Sequence, residues 1–347
     1  MSSVRTVPTA PITFGKPAGQ ITERLAGKRV ALPDGFVSKL EGICAHVDVD
    51  SESLTESGRD WWPLAIRWAL LGKVPALPSA VVRPASAEEV AAILALCNEN
   101  NIPVTPAAGR SGVCGSSVPV YGGISLDCCG LAGIESVDSD SLLVDVRAGT
   151  FGPDFERDLR EDHSITVGHW PQSVDLSTVG GWVACRGAGQ YSTRYGKIED
   201  IVAGLQVVLA DGTIHETGGL QGAGPRSASG PDLTQLFVGS EGVLGVITRA
   251  LLRAHPAPPA ERRAAYAFES FAEGLDACRR ILRRGATPAV LRLYDAAESE
   301  RNFQFDSGCL LIVLDEGDEK VIDAVMAIVD EECAADDAEE LDAEIVG

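Results

Sequence analysis

The stretch "VTPAAGRSGVCGSSVP", residues 104–119, sets glycines at 109, 112 and 115 among serines and one arginine. With no β-carbon in the way, consecutive backbone N–H groups can turn inward on a ligand, which suits a diphosphate. A tight surface turn uses the same residues, so taken alone the stretch supports both readings. No Gly-Lys-Ser/Thr closes it as in a P-loop, and no long amphipathic helix follows it as in a Rossmann site. A second stretch, "GHWPQSVDLSTVGGWVACRGAGQYSTRYGKIEDIV" (168–202), places Gly180, Gly181, Gly187 and Gly189 among Ser177, Thr178, Ala184 and Ala188. That leaves a surface on which something flat and extended can lie close. A third, "RSASGPDLTQLFVGSEGVLGVIT" (226–248), sets Gly239, Gly242 and Gly245 around Ser240 and Glu241. Glu241 suits either a hydrogen bond to its own turn or a ligand contact. Further on, "AVLRLYD" reads as a strand whose alternation puts Leu291 and Leu293 on one face and Arg292 on the other. An arginine there can grip a carboxylate or phosphate with two parallel hydrogen bonds; a solvated outer strand face is the alternative. The five histidines are dispersed and build no Ser-His-Asp arrangement. Only His169 falls near the glycine stretches, where a structural hydrogen bond is its expected role.

These residues need elements to hold them. "AVVRPASAEEVAAILALCNENNIPVTPAAG" reads as strand, helix, strand, with Ser86 capping the helix and Glu88 and Glu89 in its first turn. Strand-like runs then dominate residues 120–255 with few helices between them, and Asp211-Gly212 marks a hairpin. The prolines of "HPAPPAERR" (255–263) mark a boundary. Beyond it, sheet and helix alternate in the split β-α-β manner: "RAAYAFESF", a helix ending in arginines, "AVLRLYD", "CLLIVLDEG" and an acidic helix. No closing strand is expected before "EIVG". Residues 58–78, "GRDWWPLAIRWALLGKVPALP", read as an aromatic anchor and one short helix within an N-terminal arm.

A chain of 347 residues, 45% hydrophobic, has room for about two cores. Its net charge of -21 argues against nucleic acid as a partner. No apolar run reaches the roughly 20 residues that span a bilayer, and no secretory leader is visible, so a cytoplasmic protein is expected. Nine cysteines without CxxC spacing read as reduced thiols, many of them buried, and no metal site is expected.

Taken in this order, "GHWPQSVDLSTVGGWVACRGAG", "YGKIEDIV", "SASGPDL" and "GSEGVLGVIT" resemble the FAD-binding domain of the vanillyl-alcohol oxidase and p-cresol methylhydroxylase family. Within it they look most like the alkyldihydroxyacetonephosphate synthase branch. The resemblance covers residues 80–300 and is most specific over 168–248. It implies an α+β fold: a p-cresol methylhydroxylase-type FAD-binding domain of two α+β subdomains over 79–256, after an arm over 1–78, then an incomplete ferredoxin-like α+β cap over 262–347. FAD is the implied cofactor. Its diphosphate falls to Pro106, Ala107, Ala108, Gly109, Arg110, Ser111 and Gly112. Its ribityl and isoalloxazine end falls to Gln172, Ser173, Val174, Asp175, Leu176, Ser177 and Thr178, then to Cys185, Arg186, Gly187 and Ala188. Its adenine half falls to Gly239, Ser240, Glu241, Gly242, Val243, Leu244 and Gly245. Several members link the flavin to a histidine in the first stretch; Val113 and Cys114 stand here instead, so a non-covalent flavin is implied. Arg110 occupies a position where the branch usually has glycine, and suits either added charge on the diphosphate or exposure to solvent.

By the same resemblance Arg292 is the catalytic candidate, and the implied function is an FAD-dependent oxidoreductase passing a hydride from a small anionic hydroxyl or keto compound to flavin N5. Two alternatives stand beside it. One is an alkyldihydroxyacetonephosphate synthase, exchanging acyl for alkyl in ether-lipid synthesis through a non-redox flavin adduct. The other is a non-catalytic flavin-binding fragment, because the chain stops at Gly347 inside the expected cap. A small-molecule substrate and a homodimer are the family-level expectations for partners.

Overall fold

The computed structural model describes residues 5–25, 27, 29–222 and 229–342. Residues 226–228, which begin the third stretch, and the terminal "EIVG" lie outside the described residues. The chain forms two compact units. The first contains Met1–His163, Ser173–Gly187 and Ile198–Ala254; the second contains Ser164–Gln172, Ala188–Lys197 and His255–Gly347.

The first unit holds two larger sheets and a two-stranded parallel one, Thr22–Glu23 with Lys73–Val74. One of the larger sheets is ordered Val47–Asp48, Ala80–Val82, Ile124–Asp127, Val104–Ala107; the last three strands are parallel and the first is an antiparallel edge. The crossover between parallel strands is the helix Ala87–Glu99. Ser86 caps it, its hydroxyl accepting from Glu89 N–H at 3.2 Å. Val90, Ile93, Leu94 and Cys97 follow the helical period and are buried with Val82, Ile124 and Leu126. The edge strand Val47–Asp48 comes from the N-terminal region, which also forms the helices Phe36–Glu41, Ser51–Glu56 and Pro63–Leu70, the last with proline in its first turn.

The other sheet is antiparallel, ordered Ile214–Glu216, Val202–Val208, Val246–Arg253, Leu143–Arg147, Ile134–Asp138. Its hairpin turns through Gly212 at φ 87°. The expectation of few helices here needs correcting. Gly152–His163 is a helix of 12 residues, and short helices cover Val179–Ala184, Ser192–Tyr195, Ile198–Ile201 and Leu233–Phe237.

In the second unit the sheet is ordered Val290–Tyr294, Cys309–Gly317, Ala260–Phe268, Glu339–Leu341, with every pair antiparallel. Numbered along the chain that is second, third, first, fourth, the ferredoxin-like order. Glu339–Leu341 therefore closes the sheet, against the expectation that no closing strand would be found. The helices Phe271–Arg283 and Glu319–Ala334 cover one face through Ala277, Ile281, Val329 and Cys333. The opposite face carries Ala265, Leu310 and Ile312. Two earlier segments, Ser164–Gln172 and Ala188–Lys197, belong to this unit: Ile165–Thr166 pairs with His255–Pro256, and Tyr191 packs on Ala289, Val290 and Leu314. All nine cysteines are free thiols. Among the described residues, no helix is long and apolar enough to cross a membrane.

Replacing the cap residue (Ser86→Ala) is expected to cost about 1 kcal/mol, and Ile93→Ala about 2–5 kcal/mol through the cavity it leaves. Urea titration followed by circular dichroism checks both, and equal costs would contradict the packing described.

Candidate functional site

The three glycine-rich stretches meet in the first unit. A β-carbon at Gly109 would lie 2.2 Å from the Leu176 carbonyl oxygen, so only glycine lets the first stretch touch the second. At Gly242 (φ 84°) a β-carbon would lie 2.4 Å from Pro106 Cγ, joining the third stretch to the first. The third is tied to the second by Gly239 N–H donating to Val183 O at 2.9 Å and Glu241 N–H donating to Ala184 O at 3.0 Å. Each stretch also holds one non-glycine residue in the left-handed region: Arg110 (φ 51°), Arg186 (φ 52°) and Glu241 (φ 48°). Such backbone costs roughly 1–3 kcal/mol per residue and collects at ligand-binding sites.

Pro106 and Ala107 end a parallel strand, and Ala108 to Gly112 turn away from its carboxyl end. Ser173 to Thr178 run through a short turn of 3-10 helix. There Ser177 Oγ donates to Ser173 O and accepts from Trp182 Nε1, both at 2.7 Å. Cys185, Arg186 and Gly187 leave the helix Val179–Ala184, and Gly239 to Gly245 lead into Val246–Arg253, with Val243 and Leu244 exposed. Gln172, Ala188 and Arg292 fall in the second unit.

Buried polar atoms point to what this surface suits. Arg110 Nε and Ser117 Oγ in the first stretch, Thr178 Oγ1 in the second and Ser240 Oγ in the third have no hydrogen-bond partner among the described residues. Thr178 occupies a helix N-cap position, yet its hydroxyl makes no cap bond. A buried polar group left unpaired costs about 1–3 kcal/mol. Unpaired polar atoms on all three stretches, around glycine-exposed backbone, fit a long polyoxygenated ligand such as FAD.

Arg110 is not turned to solvent. Its side chain is only 9% exposed, bonding Ser57 Oγ at 3.1 Å and lying 3.8 Å from Asp127 Oδ2. It reaches a cavity of about 370 Å³ lined also by Arg59, Asp60, Arg83 and the N-terminal residues Val7 to Pro11. Asp60 is the residue that sequence reasoning missed. It is buried, its Oδ1 accepts from Trp62 N–H at 3.0 Å, and its Oδ2 lies 3.8 Å from where a β-carbon of Gly112 would be. Burial pushes its carboxyl above the usual range. The signal was the charged pair in "GRDWWP", set directly against two tryptophans.

In the second unit, Arg292 lies in register with Ile312, on the sheet face that carries Ala265. Its Nη1 donates to Gln190 Oε1 at 3.2 Å, and its guanidinium carbon sits 5.4 Å from the Tyr294 ring centre. Two buried carboxylates on the same sheet are engaged elsewhere: Arg194 pairs with Asp315, and Tyr195 Oη donates to Glu316 Oε1 at 2.6 Å. His169 is fully buried, and burial pushes its imidazole down to about 4.

Residues 78–218 match the family described as FAD binding domain. An alkyldihydroxyacetonephosphate synthase of Dictyostelium discoideum is 29% identical over 283 residues, covering 73% of this chain and 45% of that protein. The uncharacterized FAD-linked oxidoreductase YgcU of Escherichia coli O157:H7 is 34% identical over 252 residues, covering 72% and 51%. Glycolate oxidase subunit GlcD of Bacillus subtilis is 32% identical over 219 residues, covering 63% and 46%. The chain thus spans about half the length of these relatives. A solved alkyldihydroxyacetonephosphate synthase structure superposes with TM-score 0.83 at 24% identity, covering 97% of this chain and 65% of that one. One of p-cresol methylhydroxylase with substrate bound gives 0.75 at 21% identity, covering 90% and 66%. These structural likenesses bear out the expected fold.

The state of His169 has a measurable consequence. Its folded value of about 4 lies below the unfolded 6.5, so between these values the unfolded chain holds a proton that the folded one excludes. Its contribution is complete above pH 6.5 and is lost as pH falls toward 4. From pH 7 to 4.5 the loss should be about 2–3 kcal/mol. In urea titrations, His169→Gln should lose less stability over this interval than the natural chain; an equal loss would assign the proton to another group.

Proposed function

We propose, from the match of residues 78–218 to the FAD binding domain family and the FAD cofactor it carries, that the chain works as an FAD-linked oxidoreductase on a small anionic hydroxyl or keto compound. The observation that carries the cofactor assignment is the convergence of the three stretches, each with a buried polar atom that has no partner among the described residues. In this reading the backbone at Gly109 and Gly112 approaches the diphosphate, and Thr178 and Ser240 supply hydroxyls along the ligand. FAD, when bound, supplies a two-electron acceptor. The attachment is read as non-covalent, because Val113 and Cys114 stand after "GRSG" in place of a linking histidine.

Arg292 supports the anionic substrate class. It has no carboxylate partner among the described residues, in a chain with 50 acidic side chains. A guanidinium held without a counter-charge remains available to a carboxylate or phosphate. The relative named glycolate oxidase subunit also points to a small hydroxy acid. A second reading, the acyl-for-alkyl exchange of an alkyldihydroxyacetonephosphate synthase, is favoured by the sequence relatives of that name, 29% identical over 283 residues in Dictyostelium discoideum and 35% over 228 in Caenorhabditis elegans. Dye reduction by hydroxy acids supports the first reading, and ether-lipid formation without dye reduction the second. A cytoplasmic location and a homodimer complete the proposal.

The purified chain is expected to be yellow, with its FAD released into the supernatant on acid precipitation. Thr178→Val and Ser240→Ala should each weaken FAD binding by about 2- to 10-fold, the equivalent of one hydrogen bond. Gly109→Val should abolish it. A colourless chain that takes up no added FAD would overturn the cofactor assignment. If Arg292→Lys leaves KM for hydroxy acids unchanged, the anion-gripping role fails.

A further inference from the structure

Arg292 owes its freedom to the segment that faces it. Other arginines of the second unit meet carboxylates: Arg280 pairs with Asp276, Glu332 and Asp336, and Arg194 with the buried Asp315. Arg292 instead meets the side-chain amide of Gln190, whose own backbone N–H donates to Trp170 O at 2.7 Å. The amide oxygen accepts a hydrogen bond and so fixes the guanidinium, but carries no charge to cancel it. Four residues further on, Arg194 occupies Asp315, and Tyr195 occupies Glu316. The same short segment thus engages the two buried carboxylates of the sheet and offers Arg292 a neutral partner.

We propose that Gln190 is a positioning residue that orients Arg292 while sparing its charge, so that this face of the second unit selects a carboxylate- or phosphate-bearing substrate over a neutral analogue. This rests on the anion-gripping role given to Arg292 above. A glutamate at 190 would have almost the same shape and would take the guanidinium into an ion pair, leaving a net neutral couple to face the anion.

The test is calorimetric titration of the FAD-loaded protein with oxalate and with inorganic phosphate, at several sodium chloride concentrations. Thermal melts of each variant verify the fold. Wild-type protein should bind at least one probe, with affinity falling as salt rises, and Arg292→Gln should lose that binding. Gln190→Glu should weaken it by about 10-fold or more and flatten the salt dependence, as expected for lost charge attraction. Gln190→Met, neutral and of similar length, should weaken it by less and keep the salt dependence; a merely structural role would make the two variants equal. If Arg292→Gln loses binding while Gln190→Glu matches wild type, this inference is overturned and the Arg292 reading stands. If Arg292→Gln also matches wild type, or if wild type binds neither probe, both are overturned.

Discussion

Backbone crowding at Gly109 is the constraint on which the candidate site depends. The turn after the Val104–Ala107 strand passes so close to the Leu176 carbonyl that no side chain fits between them. That approach sets the first stretch against the second. Hydrogen bonds from Gly239 and Glu241 then bring in the third. Steric exclusion is well suited to this task, because it is unaffected by salt and leaves the polar atoms of the stretches uncommitted. The left-handed backbone at Arg110, Arg186 and Glu241 is the strain that accompanies so compact a junction.

Local chemistry was legible where it repeats along the chain. The Ser86 cap, the helical period of Val90 to Cys97 and the Asp211-Gly212 turn each announce themselves within a few residues. So did the order of sheet and helix after residue 260. The helix Gly152–His163 did not, because its buried face rests on few apolar side chains, Phe155 and Leu159, amid charged residues. The strand Glu339–Leu341 did not either. It is held by backbone pairing to Ala265, Tyr266 and Ala267, and its acidic side chains read as the continuation of a helix.

The site was read unevenly for a similar reason. Glycine spacing is a local signal, so the three stretches could be picked out one by one, and their family resemblance joined them. Asp60, marked only as half of the charged pair in "GRDWWP", and Gln190 carry no glycine-spacing signal of their own. Each acquires its role through a neighbour far away in sequence: Gly112 for Asp60, and Arg292, 102 residues on, for Gln190. Burial also decided a question that residue type leaves open, drawing Arg110 toward Ser57 and Asp127 and away from water.

The threading of the chain has a kinetic consequence. Ala188–Lys197 belongs to the second unit, while the residues on either side of it belong to the first. Arg194 and Tyr195 find Asp315 and Glu316 only 121 positions later. Contacts of such sequence separation are slow to form, because a long loop must close before any reward arrives. On the ribosome, this segment emerges long before its partners. Until they follow, Tyr191, Arg194 and Tyr195 are an apolar and cationic strip without its sheet, and the second unit cannot be completed until most of the chain has been synthesised.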